Sequence, residues 1–180
     1  MTMHVAFDLD DDDLKHFELI MREARKSAAN AAPEIIVAGA ENLLNQISHA
    51  QVPEFIRERL NKLKVMIQML TDHEWRLPEQ DATRVLNALA YFCEPEDLIP
   101  DNIPGIGFLD DAIMIELVVV ELEHEIQAYQ DFCSYRNERP GKASVKARSS
   151  KVTRDEWLEK RRTELQARMR KRRRRSRSIR

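Results

Sequence analysis

Residues Pro53–Leu70, PEFIRERLNKLKVMIQML, carry the pattern that decides the fold class. After the proline, apolar side chains return at alternating steps of four and three residues, at Ile56, Leu60, Leu63, Ile67 and Leu70. This spacing is typical of a helix that packs along a seam against other helices. Two heptads are too short for a free coiled coil, so the stretch predicts one helix of an intramolecular bundle.

Segments on both sides of this helix give the same helical signal. Asp11–Asp13 favour a helix start through the helix dipole, and Pro33 and Pro78 suit a first turn. A further helix is expected from about Leu109 to about Arg136, apolar nearly all round in its first half. Because the 180 residues contain only four glycines, the prediction is an all-α fold, a compact bundle of about five helices.

The C-terminal part of the chain has the opposite charge from the rest. Residues 1–140 contain 12 Lys/Arg and 27 Asp/Glu, a balance of −15, whereas residues 141–180 contain 17 and 4, a balance of +13. We therefore divide the chain into an acidic helical domain (1–138), a linker (139–152) and a basic helix with its tail (153–180). Thr153 and Glu156 resemble a capping box for that helix, which we expect to be long and exposed.

Composition and motifs argue against several classes of protein. Cys93 and Cys133 are too few and too far apart for a disulfide framework or a paired-cysteine zinc site. The acidic N-terminus does not resemble a signal peptide, and the longest apolar stretch, Ala112–Val120, is about half of what a bilayer requires. We expect no transmembrane helix, and a location in the cytoplasm or at the inner membrane surface. No motif of a known enzyme class is present, so neither an enzyme nor a cofactor is predicted.

The segment Cys93–Ala112, CEPEDLIPDNIPGIGFLDDA, combines helix breakers with apolar side chains. Its prolines remove backbone donors and its glycines permit a turn with positive φ, so the prediction is a stiff, buried loop. Its aspartates are expected to cap turns and the next helix, while the alternative is a magnesium or calcium site in a metal-dependent enzyme. The residues concerned are Pro95, Asp97, Pro100, Asp101, Pro104, Gly105, Gly107, Asp110 and Asp111, of which the four aspartates are the candidate ligands.

The stretch Tyr91–Asp111 resembles the signature of the YkvA-like domain of unknown function. That family carries Tyr, then Pro-x-Asp-Leu-Ile-Pro-Asp, then Ile-Pro-x-x-Gly and finally Asp-Asp, and we place the domain at residues 85–125. The resemblance implies a helical hairpin around the loop. Many relatives are small, hydrophobic and presumed to be membrane-associated. The resemblance implies no activity. This chain departs from them with acidic residues at Glu94, Glu96 and Glu116.

A Glu-x-x-His pair, Glu121 and His124, is one piece of the carboxylate-bridged di-iron pattern. The full pattern requires a second copy and two further acids. Asp72, His73 and Glu74 have suitable side chains, but no spacing relates them to this pair. A surface histidine among glutamates is the simpler interpretation, and no metal is predicted.

The chain ends in RMRKRRRRSRSIR, Arg168–Arg180, with nine basic residues in thirteen. Charge repulsion predicts a disordered tail, and arginine's affinity for phosphate predicts a polyanionic partner. Nucleic acid, RNA or DNA, is the first candidate and an anionic membrane surface the alternative; a solubilising tail without a specific partner also fits. The tail could instead contact the acidic cluster Asp8–Asp13 of the same chain. The predicted binding residues are Arg168, Arg170, Lys171, Arg172, Arg173, Arg174, Arg175, Arg177 and Arg180.

Overall fold

The computed structural model describes residues 6, 8–93, 107–138 and 154–178. Across these ranges the chain forms seven α-helices and a short 3₁₀ helix, with no strand, which confirms the predicted all-α bundle. The helices are α1 (Asp11–Ser27), α2 (Pro33–Ser48), α3 (Glu54–Thr71), α4 (Glu79–Leu89), α5 (Leu109–Glu121), α6 (Glu123–Asn137) and α7 (Arg154–Ser178). The 3₁₀ helix, Ala90–Cys93, directly follows α4.

The first four helices begin where the sequence predicts. At the start of α1, the carboxylate of Asp10 accepts the amide hydrogen of Asp13 at 2.9 Å, and Asp13 accepts that of Asp10 at 3.1 Å. This reciprocal pairing is a capping box, which satisfies amides that a helix start leaves without partners. Pro33 is the first residue of α2, and Pro53 and Pro78 immediately precede α3 and α4.

Helix α3 lies at the centre of the bundle and contacts α2, α4, α5 and α6. Four of its five predicted seam positions are buried, and Leu70 is partly buried. Met66 and Met69 are fully buried as well. They lie outside the predicted seam because a helix that is surrounded by neighbours buries more than one face.

Gly39 of α2 permits a close approach of the 3₁₀ helix. A Cβ atom at this position would lie 2.6 Å from the carbonyl oxygen of Phe92 and 2.8 Å from the Cα atom of Cys93. Both contacts are with backbone, which cannot swing away as a side chain can. Because Gly39 has no side chain, the 3₁₀ helix that follows α4 can pack directly against α2. Tyr91 and Phe92 of the 3₁₀ helix are buried.

The single helix predicted from Leu109 to Arg136 is wrong, because the structure divides it at Leu122 into α5 and α6. Leu122 is fully buried and has φ −105° and ψ 17°, outside the helical range. Three consecutive β-branched residues, Val118–Val120, precede the break and weaken the helix locally because their side chains crowd the preceding turn. After the break, α6 packs against both α3 and α7.

The prediction of an exposed basic helix followed by a disordered tail is also wrong as far as Ser178. Helix α7 continues to that residue and packs along α6. It buries Leu158, Leu165 and Met169, and the ring of Trp157 stacks on that of Tyr135 with centroids 4.0 Å apart. Charge repulsion does not unfold the helix because the acidic body supplies opposite charges to its inner side.

Several predicted features lie outside the described residues. They are the linker 139–152, the predicted capping residue Thr153, Arg180, and most of the Pro/Asp-rich loop, namely Pro95, Asp97, Pro100, Asp101, Pro104 and Gly105. At the end of this loop, Gly107 and Phe108 are buried. Asp110 and Asp111 are each 2% exposed in the first turn of α5, where the helix dipole favours acids.

Candidate functional site

The C-terminal half of α7 is fixed to the body by five charged side chains, which we call the buried charge cluster. They are Asp81, Arg84, Glu125, Arg170 and Arg173. Arg173 donates hydrogen bonds to Oδ1 of Asp81 at 3.0 Å and to Oε1 of Glu125 at 2.8 Å. Arg170 donates to Oδ2 of Asp81 at 3.1 Å, and Arg84 donates to Oε1 of Glu125 at 2.9 Å. Three guanidinium groups thus neutralise two carboxylates.

Burial makes this cluster depend on complete pairing. The side chains of Asp81 and Glu125 are 1% and 0% exposed, so each carboxylate has lost its hydration and requires a positive partner. Both arginines that neutralise Asp81 belong to α7. Burial alone would lower the pKa of Arg173, but its hydrogen bonds to Glu125 and Asp81 outweigh burial and raise that pKa. The guanidinium therefore remains charged in the folded protein.

A second group of contacts holds the N-terminal half of α7 against the connection between α3 and α4. Arg154 donates to Oε1 of Glu74 at 2.6 Å, and Arg162 donates to the carbonyl oxygen of the same residue at 2.9 Å. Gln166 is buried and donates to the carbonyl oxygen of Trp75 at 3.0 Å. The helix is thus anchored at both ends.

Asp72 organises the body side of these contacts. Its carboxylate accepts from the backbone amide of Glu74 at 2.9 Å, from the hydroxyl of Tyr129 at 2.9 Å and from Arg136 at 2.8 Å. Burial would raise the pKa of Asp72, but these hydrogen bonds outweigh burial and lower it. For Glu74, burial is likewise outweighed by Arg154 and Arg136, and its pKa is lowered. These acids are engaged with arginines and not arranged around a metal.

The solvent side of α7 presents cations that have no carboxylate partner within the part of the chain that the structure describes. We call five of them, near the C-terminus of the helix, the outer cations: Lys171, Arg172, Arg174, Arg175 and Arg177. The structure therefore divides the nine predicted polyanion-binding residues into groups. Besides the five outer cations, Arg170 and Arg173 belong to the buried charge cluster, and Arg168 pairs with Glu164 at 2.7 Å.

An open pocket of about 480 Å³ lies between α1, α4, α5, α6 and α7. Its polar lining consists of Glu18, Arg22, Arg25, Arg84, Glu121, Glu123, His124, Arg173, Ser176 and Arg177. Arg25 pairs with Glu121 at 2.8 Å, and Arg84 and Arg173 pair with the buried Glu125. The rest of the charged lining consists of Arg22, Arg177, Glu18 and Glu123, so the lining holds five arginines and three glutamates. Three of the five arginines are already engaged with carboxylates.

The Glu-x-x-His pair does not form a metal site in this arrangement. Glu121 pairs with Arg25, while Nε2 of His124 lies 2.9 Å from the hydroxyl of Ser176. Among the described residues, no group of three or more His, Cys, Asp or Glu side chains is placed to hold a metal ion. The serine–histidine contact does not form a catalytic triad either, because the carboxylate of Glu123 approaches the same ring nitrogen, at 3.4 Å.

The tail's predicted contact with Asp8–Asp13 stays a prediction. In that segment Asp10 and Asp13 cap α1, and Asp12 pairs with Lys15 at 2.8 Å. The acids that neutralise the inner side of α7 are instead Asp81 and Glu125, which sequence reasoning did not identify.

The sequence contains a sign that one of these two acids, Glu125, is buried. Glu125 lies three residues after Leu122 and four before Tyr129, so it occupies a position within the apolar stripe of α6. An acid at such a position implies a buried cationic partner. Asp81 carried no such signal, because an acid three residues after Pro78 is what the first turn of a helix favours.

Comparisons with known proteins match a part of the chain that includes residues of α4 and α5. Residues 83–117 match a family model described as a protein of unknown function (DUF1232). The uncharacterized membrane protein YkvA of Bacillus subtilis (strain 168) is 31% identical over 77 residues, which cover 39% of this chain and 71% of that protein. No solved structure matches significantly. Within the described ranges, no helix has the length and apolar character needed to cross a membrane. The matched residues, together with a signature that joins α4 to α5, place the chain in the YkvA-like family of unknown function, DUF1232.

Proposed function

We propose that this protein is a non-catalytic binding protein whose C-terminal helix contacts the phosphates of nucleic acid. The observation that carries the proposal is the set of outer cations, which face solvent without carboxylate partners among the described residues. Arginine's planar fork pairs well with phosphate oxygens, and neutralising several phosphates releases condensed counterions. These two effects give affinity without any preference for base sequence.

The remainder of the molecule limits this contact to α7. Residues 1–140 carry a balance of −15 and repel phosphate. Of the exposed residues of α7, Ala167 is the single apolar one, so the helix offers nucleic acid or lipid an almost entirely polar surface. Attraction by α7 and repulsion by the body together favour an elongated polyanion that touches the protein along one helix.

The direct test is binding of mixed-sequence DNA and RNA at several salt concentrations. Affinity is expected to fall steeply with salt, and Arg174→Ala is expected to reduce the magnitude of the log–log slope by about 0.9 for duplex DNA, one phosphate's contribution. Lys64→Ala, an exposed lysine on α3, makes the same charge change away from α7 and is the matched control. Equal effects of the two variants, or no binding at low salt, would refute the proposal.

A second candidate, contact with an anionic membrane surface, is favoured by the name of the relative YkvA, which is called a membrane protein. The outer cations suit lipid phosphates as well as nucleic acid. Insertion of apolar side chains is disfavoured, because Leu158 and Leu165 are buried and Trp157 is stacked on Tyr135. Binding to vesicles of phosphatidylcholine with and without phosphatidylglycerol, compared with binding to nucleic acid, discriminates the two candidate partners. Tighter binding to the anionic vesicles than to nucleic acid at equal salt would replace the first candidate by the second.

A further inference from the structure

We infer that α7 binds nucleic acid while it remains docked on the body, and that the form bound is a duplex. This inference rests on the proposed function and specifies its partner. It follows from three features of the structure: the division of α7's charges between an inner and an outer side, the burial of its apolar residues, and the aromatic-free character of its exposed surface.

Docking removes several cations from the contact. Arg170 and Arg173 each hydrogen-bond to Asp81, and no other described residue forms an ion pair with that carboxylate. A polyanion could recruit these two arginines only by leaving a carboxylate that is 1% exposed without a cation. Undocking would also expose Leu158 and Leu165, which are 2% and 1% exposed in the folded protein. The outer cations are therefore the ones available, and binding through them disturbs none of these contacts.

The docked helix lacks what single-strand recognition requires. Proteins that bind single strands usually stack the bases on exposed aromatic rings. The one aromatic ring of α7, that of Trp157, is already stacked on Tyr135 with centroids 4.0 Å apart. A flexible strand would have to order its backbone along a rigid helix without any gain from stacking. A duplex presents its phosphates in a fixed, regular array and loses little freedom on binding.

The dimensions of the outer face also suit a duplex. Lys171 to Arg177 rise about 9 Å along the helix axis, and the long side chains extend the reach on either flank. The major groove of B-form DNA is about 12 Å wide. An α-helix with its side chains is about 10–12 Å across, so cations on the two flanks of α7 are spaced to contact phosphates of both strands. The contacts are to backbone, so the expected binding is independent of sequence.

The experiment compares one DNA duplex with each of its separated strands, using the full chain and a series of salt concentrations. The duplex is expected to bind more tightly. Its log–log salt slope is expected to be about −4.5 for the five outer cations, or about −5.4 if Arg180 contributes, whereas engagement of all nine basic residues would give about −8.

Two variants on the same helix supply matched charge changes. Arg174→Ala, on the outer face, is expected to reduce the magnitude of the slope by about 0.9. Arg170→Ala, whose side chain is bound to Asp81, is expected to leave the slope unchanged, with circular dichroism confirming that the helix remains folded. Tighter binding of single strands than of the duplex would overturn the inference that the bound form is a duplex. A wild-type slope near −8, or equal slope changes in the two variants, would overturn docked binding. Failure to bind either form would instead refute the proposed function and the inference with it.

Discussion

Replacing Arg173 by methionine tests whether the buried charge cluster holds α7 in place. Methionine keeps an unbranched side chain of similar length but removes the guanidinium that bridges Asp81 and Glu125 at 3.0 and 2.8 Å. Removing one partner from a buried ion pair costs about 3–5 kcal/mol, because the remaining charge is left uncompensated in a dry environment. Each carboxylate keeps one other arginine, Arg170 at 3.1 Å or Arg84 at 2.9 Å. We therefore expect a loss of about 3 kcal/mol, at the lower end of that range.

Urea unfolding followed by circular dichroism at 222 nm and by tryptophan fluorescence measures this loss. Trp157 lies on α7 and Trp75 lies in the connection that α7 covers, so fluorescence reports separation of the helix from the body. Arg174→Met, on the outer face of the same helix, is the matched control and is expected to change stability by less than about 0.5 kcal/mol. Local detachment of α7 before the rest of the bundle unfolds would appear as two transitions.

Removing the acids as well identifies the cause of the loss. In the Arg173→Met background, Asp81→Asn together with Glu125→Gln is expected to recover part of the stability, because the uncompensated buried charges are then absent. A loss for Arg173→Met that equals that of Arg174→Met would show that the cluster does not anchor the helix. A loss that the neutral acids leave unchanged would show that lost packing, and not an uncompensated charge, is responsible.

Three further predictions concern the body of the protein. Gly39→Ala is expected to cost about 1–3 kcal/mol in urea unfolding, because its Cβ meets backbone atoms at 2.6 and 2.8 Å; Ala38→Ser, on the exposed side of α2, should be within about 0.5 kcal/mol of wild type. Because folding lowers the pKa of Asp72, its contribution to stability is present above about pH 4 and is lost as the pH falls through the folded pKa. Asp72→Asn should therefore be less stable at neutral pH and show a flatter loss of melting temperature in acid; a profile parallel to wild type would contradict this. Pro100→Ala with Pro104→Ala should destabilise the fold by more than about 1 kcal/mol, since each change restores a backbone donor and frees the unfolded chain; an unchanged melting temperature would contradict the predicted buried loop.

Local chemistry made most of the helices predictable. In α2, the structure buries Ile36, Ala40, Leu43 and Ile47, which recur in the sequence at steps of four, three and four residues, the period of one helical face. Pro33 and the acids at the start of α1 act on the first turn of their own helix, so neither depends on the rest of the fold. The break at Leu122 was not predictable in the same way, because a helical pattern continues through it and the positions of α3 and α7 decide where the chain bends.

The docking of α7 was missed because charged residues carry it. Apolar periodicity detects burial through the hydrophobic effect, and α7 has few apolar residues for its length. Asp81 and Arg173 are 92 residues apart, and each alone resembles an ordinary surface charge. The Asp81–Arg173 pair has no signature within either helix, since each residue acquires its role from a partner elsewhere in the chain.

The same pairing changes what the basic tail implies about binding. Counting residues from sequence assigns nine cations to a polyanion, but the fold uses Arg170 and Arg173 to neutralise Asp81 and Glu125. A cation bound to an internal carboxylate releases no counterion when phosphate approaches, so it adds nothing to the salt slope. The stability of the fold therefore depends on the inner side of α7, and the binding of phosphate depends on its outer side. Loss of an inner arginine is expected to lower the melting temperature and to leave the salt slope of binding unchanged. Loss of an outer arginine is expected to reduce the magnitude of the salt slope and to leave the melting temperature unchanged. If both kinds of variant changed both quantities equally, the division of α7 into an inner and an outer side would be refuted.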